Sequence, residues 1–369
     1  MDAPVAWCRR DRCLTWELSG AINLRAVQAP SSNSLPTPPG RVLIVRMSHL
    51  GDIAQTLPLL HAVRGAWPGV EVAWAIQPEF AGLVEPLVER VVHFDRRGGL
   101  TAWPRLRRAL HEFAADLVVD AQGNWKSALA ASLSGAPRKV TLPRCARQEP
   151  LAARLLGLEE VPVDPEGAHH LVPLCTALGA LVTGEATTRV DPDLSDDERA
   201  AASRTWSLLS GGSRAVVLHP GAPGDPRSWP AARYRRLAEL LIERGDRVVV
   251  LTGPSEADVG ARLQAEVPTA AHHVGQRGLR EFAALLDAAG RQGAVLVGGD
   301  SGPAHVAASV GLPVHLVAGP EDPSRTGPWP PRGGPNVVVE DPGQPWAGRS
   351  VEDVSADDVL RSLTRRSPS

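Results

Sequence analysis

The sequence predicts an α/β protein with two Rossmann-like domains that face each other across a cleft. Two segments predict this fold, RVLIVRMSHLGD at residues 41–52 and GGDSGPAH at residues 298–305. In each, an apolar strand ends in a turn that contains glycine and aspartate, and a helix then begins. In open parallel sheets such turns lie at the carboxyl ends of the strands, where backbone N–H groups and a helix N-terminus can hold an anion.

Length and composition agree with two globular domains. The chain has 369 residues, of which 43% are hydrophobic, and a formal net charge of −2. A chain of this length exceeds one ordinary core, and its charge predicts no nucleic-acid partner. No apolar run reaches the roughly 20 residues that span a bilayer. The four cysteines, Cys8, Cys13, Cys145 and Cys175, lack the spacing of a zinc site or a disulfide framework, so the sequence predicts a cytoplasmic protein.

Alternating strands and helices define the expected first domain. Residues 1–40 end in SSNSLPTPPG and predict a disordered N-terminal extension, because such a stretch cannot pack a core. Residues 41–185 then alternate apolar strands with helical segments, which predicts right-handed crossovers and a mostly parallel sheet.

The second half of the chain repeats this architecture. Residues 186–213 predict a linker, since proline, acidic residues and a Gly-Gly-Ser break surround a helix capped by Ser195. Residues 214–350 predict the second domain, with the strands AVVLHP, RVVVLTG, AVLVGG and PVHLVAG. Residues 351–369 contain a closing helix, which we expect to pack back toward the first domain.

Six motifs in order along the chain resemble the family-9 glycosyltransferases, the ADP-heptose heptosyltransferases of lipopolysaccharide inner-core assembly. The motifs are VRMSHLGD, DAQGNWKSA, QEPLA, HPGAPGDPRSWP, TGPSE and GDSGPAH. The second and third are most similar to heptosyltransferase I. The resemblance covers residues 41–365 and implies a GT-B fold, with an ADP-sugar donor held mainly by the second domain and an acceptor by the first. It also implies inverting transfer with no cofactor and no metal site.

Asp52 is the candidate general base. Glycosyl transfer needs a group that deprotonates the acceptor hydroxyl, and the matching aspartate has this role in the family. Taken alone, a Gly-Asp pair before a helix predicts an N-cap instead.

The second turn supplies part of the predicted donor site. Asp300, Ser301, Gly302 and His305 match the family residues around the donor sugar. Gly302 would let the backbone approach the donor closely, and the following helix N-terminus would face a phosphate. Without the resemblance, Asp300 predicts a cap and His305 a buried structural histidine.

The other predicted donor-binding residues are His219, Gly221, Arg227 and Glu256. Arg227 can offer a planar fork to the diphosphate, where heptosyltransferase I has lysine before the Trp-Pro step. From surface composition alone, Arg227 predicts a solvated charge. Glu256 follows a strand of a nucleotide fold and can accept hydrogen bonds from ribose hydroxyls.

Seven residues of the first domain are candidates for the acceptor site: Arg96, Arg97, Asp120, Gln122, Gly123, Lys126 and Arg147. The resemblance implies Kdo-lipid A as acceptor, whose anionic groups would meet the arginines. A different glycan or a small secondary metabolite stays open as acceptor, because the basic loop near Arg96 is shorter than in the family. A lipid acceptor would bring the protein into peripheral contact with the inner face of the cytoplasmic membrane.

Other nucleotide-binding classes are disfavoured by the same turns. The chain lacks G-x-G-x-x-G after RVLIV, as a nicotinamide oxidoreductase would require, and it lacks the P-loop G-x-x-x-x-G-K-[ST]. A non-catalytic nucleotide-sugar-binding protein would not need Asp52 as well as Asp300. A transferase that uses another donor, such as a UDP-hexose, remains an alternative function.

Overall fold

A computed structural model describes residues 38–147, 149–160, 170–222, 224–275, 278–330, 336–339 and 348–365. Residues 1–37 of the predicted extension and residues 366–369 lie outside the described residues.

The first half of the chain forms a parallel sheet. Its strands are β1 (Arg41–Val45), β2 (Glu71–Ile76), β3 (Arg90–His93), β4 (Leu117–Asp120), β5 (Arg138–Thr141) and β6 (Glu159–Glu160). They lie in the order β3-β2-β1-β4-β5-β6. β1 pairs in parallel with both β2 and β4. Strand order reverses between β1 and β4, and ligands of open α/β sheets bind at such a switch point.

Six helices cover the faces of this sheet: α1 (Leu50–Ala66), α2 (Pro78–Ala81), α3 (Ala102–Phe113), α4 (Trp125–Leu133), α5 (Pro150–Leu155) and α6 (Leu171–Thr183). α1 and α6 pack against each other, and Gly179 of α6 lies against Ala62 of α1. Because helices lie on both faces, the central strands carry nearly continuous apolar runs, as in RVLIV, where the four residues after Arg41 are buried.

The second sheet repeats the topology of the first. Its strands are β7 (Ala215–His219), β8 (Arg247–Thr252), β9 (Ala271–Val274), β10 (Val295–Gly299), β11 (Val314–Val317) and β12 (Val337–Val338), in the order β12-β11-β10-β7-β8-β9. Here the switch point lies between β7 and β10, which pair in parallel. The residues after β7 and β10, which carry the predicted donor motifs, therefore leave the sheet side by side.

Seven helices accompany the second sheet: α7 (Asp196–Ser210), α8 (Ala231–Glu243), α9 (Ala257–Glu266), α10 (Leu279–Arg291), α11 (Gly302–Ser309), α12 (Pro323–Thr326) and α13 (Ala356–Arg365). Ser195 and Glu198 form a capping box at the start of α7. α7 packs against α10, and its Trp206 is fully buried. Residues 196–210 of the predicted linker thus form part of the helical layer of the second domain.

The closing helix packs differently from the prediction. α13 lies against α8 and β11 of the second domain, with Val359 and Leu363 buried there. Ser362 Oγ lies 3.1 Å from His315 Nδ1 of β11. The expected return to the first domain is wrong, because the apolar residues Val359 and Leu363, four apart on one face of the helix, are buried in the core of the second domain. No helix in the described part of the chain combines the length and the apolar character needed to cross a membrane.

Candidate active site

Two cavities open between and within the domains. The larger, 930 Å³, lies between the carboxyl edges of the two sheets. The smaller, 320 Å³, is lined by residues of the first domain and by Arg325 of the second. Four residues line both cavities: His49, Asp52, Leu171 and Arg325. The candidate base therefore lies where the two cavities meet, which is the arrangement that transfer between two separately held substrates requires.

Asp52 lies in the first turn of α1. Its carboxylate forms an ion pair with Arg46 and lies 3.5 Å from His49 Nδ1. Arg46 is buried and also donates to the Ala121 carbonyl at 2.7 Å, so it is fixed from a second direction. The helix begins at Leu50, so His49 holds the N-cap position. The N-cap interpretation of Asp52 is therefore wrong. Its side chain contacts Arg46 and His49 of the preceding turn instead.

The environment of Asp52 keeps it ionised. Burial raises the pKa of this carboxyl, but the Arg46 charge and the His49 hydrogen bond outweigh burial and hold the pKa well below 3.8. His49, with φ 65, adopts the left-handed conformation that is uncommon outside glycine. Backbone strain of this kind is often found at functional sites, and here it shapes the turn that presents Asp52.

Asp300 follows β10 and lines the larger cavity. Its Oδ1 lies 3.1 Å from His305 Nε2, and its Oδ2 accepts a hydrogen bond from Thr326 Oγ1 at 2.9 Å. Burial opposes ionisation of this carboxyl, but the hydrogen bonds from His305 and Thr326 and the Arg227 charge lower its pKa. Asp300 is thus an anchored carboxylate with acceptor capacity left for a ligand in the cavity.

Ser301 and Gly302 form the start of α11. The Ser301 hydroxyl is buried and has no hydrogen-bond partner among the described residues, although the residue lines the cavity. A Cβ on Gly302 would come within 2.7 Å of Leu50 Cβ. Glycine here permits the close approach of α1 and α11, and the orphan hydroxyl suits a ligand that offers a hydrogen bond.

His219, Arg227 and Glu256 also line the larger cavity. His219 Nδ1 lies 2.9 Å from the Leu251 carbonyl, and burial lowers the pKa of this imidazole. Arg227 makes two hydrogen bonds to the Asp225 carboxylate, at 3.1 and 2.8 Å, so part of its fork is engaged. Glu256 binds the Gly253 N–H within its own turn.

Gly221 does not line either cavity. A Cβ at this position would meet Ser228 Oγ at 2.2 Å. The close packing of the loop against itself therefore explains why a glycine stands at this position.

The acceptor candidates divide into two groups. Arg96, Gln122 and Lys126 line the smaller cavity. Gln122 is held there because its Oε1 accepts from the Met47 N–H at 2.7 Å and its Nε2 donates to Ser48 Oγ at 3.2 Å.

The other four acceptor candidates do not line the cavity. Asp120 is fully buried, burial raises its pKa, and its carboxylate binds the N–H groups of Gln122 and Gly123. Arg147 is buried over Gly123 and forms an ion pair with Glu160 at 2.5 Å, whereas Arg97 is exposed. The structure therefore places Asp120, Gly123 and Arg147 in the frame of the turn, and Arg97 on the surface outside the smaller cavity.

Sequence reasoning missed several residues of the site. Arg325 of α12 lines both cavities, is exposed, and has no ion-pair partner among the described residues. Thr326 binds Asp300, and Phe282 of α10 adds an aromatic wall to the larger cavity. Arg325 and Thr326 could have been predicted from the position of PEDPSRTG. This segment follows a predicted strand and therefore lies at the same sheet edge as the other motifs. Within the ranges that the structure describes, no group of three or more His, Cys, Asp or Glu could hold a metal ion.

Comparison with known sequences identifies the family. The profile of glycosyltransferase family 9 (heptosyltransferase) matches residues 103–345, more than half of the chain. The chain belongs to glycosyltransferase family 9. It is therefore a glycosyltransferase, as the order of its motifs predicts.

Relatives within family 9 include lipopolysaccharide heptosyltransferases. Lipopolysaccharide heptosyltransferase 1 of Pseudomonas aeruginosa is 32% identical over 299 residues, which cover 78% of this chain and 81% of that protein. The enzyme of the same name from Escherichia coli K12 is 29% identical over 300 residues, 78% of this chain and 90% of that protein. The predicted similarity to heptosyltransferase I is confirmed.

Solved structures of family members have the same architecture. Escherichia coli heptosyltransferase WaaC with ADP matches with a TM-score of 0.68 and 26% identity, over 88% of this chain and 99% of that chain. The WaaC complex with ADP-2-deoxy-2-fluoro heptose gives a TM-score of 0.69 and 26% identity, over 89% and 100%. A family-9 protein of Veillonella parvula gives a TM-score of 0.74 at 20% identity, over 90% and 98%. These matches confirm the predicted GT-B fold.

Proposed function

We propose that this protein transfers heptose from ADP-L-glycero-D-manno-heptose to a hydroxyl in the Kdo region of the lipopolysaccharide inner core, with inversion. One observation carries the proposal: the cavity between the domains and the cavity of the first domain meet at Asp52. The relatives named above support the substrates, since curated family members are lipopolysaccharide heptosyltransferases and WaaC binds an ADP-heptose analogue.

The larger cavity is the proposed donor site. Asp300 can accept hydrogen bonds from sugar hydroxyls, and the Ser301 hydroxyl can donate one. The proposed role of Glu256, which lines the same cavity, is to accept from ribose hydroxyls. The N-terminus of α11 and the partly engaged Arg227 offer positive charge to the diphosphate that departs with ADP. With these charges supplied by the protein, we propose that transfer proceeds without a metal ion, and that EDTA leaves the rate unchanged.

Asp52 is the proposed base. Its ion pair with Arg46 keeps the carboxylate ionised but also makes it a weak base. The proton of the acceptor hydroxyl therefore moves only when the new glycosidic bond has begun to form, because the hydroxyl becomes acidic at that stage. Displacement from the face opposite the leaving ADP gives inversion.

The smaller cavity is the proposed acceptor site. Four cationic side chains line it, Arg46, Arg96, Lys126 and Arg325, against one carboxylate, Asp52. Such a lining favours an anionic ligand such as a sugar acid, and charge-assisted contacts weaken as salt rises.

The first domain also carries exposed apolar side chains close to this cavity. Leu100 lies in the turn that begins at Arg96, and Trp125 lies between the lining residues Asn124 and Lys126. We propose that these side chains contact the surface of an anionic bilayer that presents the acceptor. Leu100→Ser with Trp125→Ser should reduce sedimentation with anionic phospholipid vesicles. Leu208→Ser, at an equally exposed leucine of α7, should not.

A paired substrate screen tests the proposed function. Calorimetry should show binding of ADP-heptose in preference to ADP-glucose and UDP-sugars, and transfer should occur to Kdo-lipid A. Transfer to a neutral small acceptor in preference to Kdo-lipid A would contradict the lipopolysaccharide assignment. Preference for a UDP-sugar would contradict the assignment of ADP-heptose as the donor.

A further inference from the structure

A chain of hydrogen bonds crosses the domain interface and ends in the larger cavity. Gln55 Nε2 of α1 lies 2.7 Å from His305 Nδ1 of α11, and His305 Nε2 lies 3.1 Å from Asp300 Oδ1. We infer that Gln55 is a positioning residue, which orients the donor-binding carboxylate of Asp300 through the His305 ring. This deepens the proposed function, since it assumes that Asp300 binds the donor sugar.

The direction of each hydrogen bond follows from the contacts of the Gln55 amide. Gln55 Nε2 also lies 3.1 Å from the Gly327 carbonyl, which can only accept. The amide nitrogen must therefore face both partners, and His305 Nδ1 must accept. The remaining ring nitrogen, Nε2, then carries the proton, and its N–H donates a hydrogen bond to Asp300 Oδ1. Gln55 thus selects the tautomer that can anchor Asp300.

Burial makes this arrangement hard for water to replace. Gln55, His305 and Asp300 are 4%, 9% and 8% exposed. A Cβ on Gly51 would come within 2.4 Å of His305 Cδ2, so a glycine at this position lets α1 reach the ring. Because Gln55 belongs to the first domain and Asp300 to the second, the geometry of the donor carboxylate depends on how closely the two domains approach. The sugar site is therefore complete only when both domains are in place.

Two variants of Gln55 test the inference. Gln55→Met keeps the volume but removes the hydrogen bond to His305 Nδ1. The His305 ring then orients Asp300 less well, although Thr326 still holds that carboxylate, and the donor sugar should bind more weakly. We expect calorimetry to show ADP-heptose affinity reduced about three- to tenfold, with ADP affinity unchanged. Gln55→Glu offers only acceptor oxygens, so His305 Nδ1 must acquire a proton. Ring ¹⁵N shifts should then report protonated Nδ1 in Gln55→Glu and unprotonated Nδ1 in the wild type.

His170 provides a matched control at the same interface. Its Nε2 lies 2.9 Å from the Gly327 carbonyl, to which Gln55 also donates. The ring nitrogens of His305 contact Gln55 and Asp300 instead. His170 is also the N-cap of α6, and asparagine preserves a cap while losing the reach to Gly327. Both His170→Asn and Gln55→Met should lower thermal stability, because each removes a hydrogen bond to the Gly327 carbonyl. Only Gln55→Met should change the ratio of ADP-heptose to ADP affinity.

Two results would overturn the inference. One is an unchanged affinity ratio in Gln55→Met, and the other is protonated Nδ1 in the wild type. If the wild-type protein fails to bind ADP-heptose at all, the proposed function fails, and the ¹⁵N spectra still decide whether Gln55 sets the His305 tautomer.

Discussion

At the scale of single residues, the proposed role of Asp52 as general base leads to a direct test. Asp52→Asn removes the base but keeps the size of the side chain. Turnover should fall by about 10²–10⁴ because general-base catalysis contributes this much. ADP affinity should be unchanged, since the proposed donor contacts lie in the second domain. Steady-state kinetics with calorimetry measure both.

The stability of Asp52→Asn must be followed in parallel. Arg46 loses its charged partner in this variant and stays buried, so some loss of thermal stability is expected. A variant that is folded but retains near-normal turnover would remove Asp52 from the chemistry. Asp52→Glu, which keeps the charge and moves it, should recover stability more than turnover.

Two neighbouring arginines separate direct acceptor contact from general surface charge. Arg96 lines the smaller cavity and Arg97 is exposed outside it. Arg96→Ala should raise the acceptor KM by about tenfold and flatten its salt dependence, because a charged contact contributes about 1.5–3 kcal/mol at most. Arg97→Ala should change neither by more than about twofold, as for an exposed charge. Equal effects of the two variants would contradict direct acceptor contact by Arg96 and would indicate that acceptor binding depends on the overall charge of the loop.

The site residues that could be predicted from sequence are those that follow strands. Asp300 comes directly after β10, Asp52 lies in the first turn of the helix that follows β1, and both line the larger cavity. Arg147 and Asp120 follow the same pattern, yet they are buried in the frame of a turn. Their burial depends on contacts with residues distant in sequence, such as Glu160 and Thr141, and no local pattern encodes those.

At the scale of elements, the crossing of α1 and α11 is where the domains approach most closely. Gly302→Ala would place a methyl group 2.7 Å from Leu50 Cβ, so the helices must move apart. We expect a loss of about 1–3 kcal/mol in unfolding free energy, as for overpacking, together with weaker donor binding. Chemical denaturation and calorimetry test this.

Gly65 provides the matched control within α1. Nothing lies within 4 Å of a Cβ at this position. Gly65→Ala should therefore stabilise the protein by about 0.5–1 kcal/mol, the difference in helix propensity, and leave donor binding unchanged. Destabilisation by both variants to the same degree would contradict a special role for the crossing.

Elements with long apolar patterns could be predicted and short edge elements could not. RVLIV and RVVVLTG are central strands, where burial on both faces requires an unbroken apolar run. The pairs Glu159–Glu160 and Val337–Val338 are strands only because a neighbouring strand supplies hydrogen bonds. The docking of α13 was mispredicted for a related reason. An amphipathic stripe specifies that a helix packs, and the surrounding structure decides where.

At the scale of the whole molecule, Arg280 of α10 joins the segment between the domains to the second domain. It forms an ion pair with Glu198 at 2.5 Å and donates to the Pro192 carbonyl at 3.0 Å. The Arg280 hydrogen bond lowers the pKa of Glu198 to about 2 from 4.5. A depressed carboxyl pKa contributes stability above pH 4.5, and that contribution is lost as the pH falls toward 2.

Glu198→Gln removes this contribution. At neutral pH the variant should unfold with about 1 kcal/mol less free energy than the wild type, as for a partly exposed ion pair. The difference should shrink between pH 4.5 and 2, where the wild-type carboxylate protonates. Urea denaturation across this range measures it, and a difference that is constant with pH would exclude the ion pair as its cause.

Because the two cavities meet, a single inhibitor could occupy both of them. A molecule with a nucleotide at one end and a sugar acid at the other can reach both sites only past His49, Asp52, Leu171 and Arg325. Binding of the second end is then intramolecular, and affinity can exceed that of either half by about 10²–10⁴ when the tether fits the span. The affinities of a series of such compounds, with tethers of increasing length, would measure the distance between the two sites. The length that binds most tightly would report the separation of donor and acceptor at the moment of transfer.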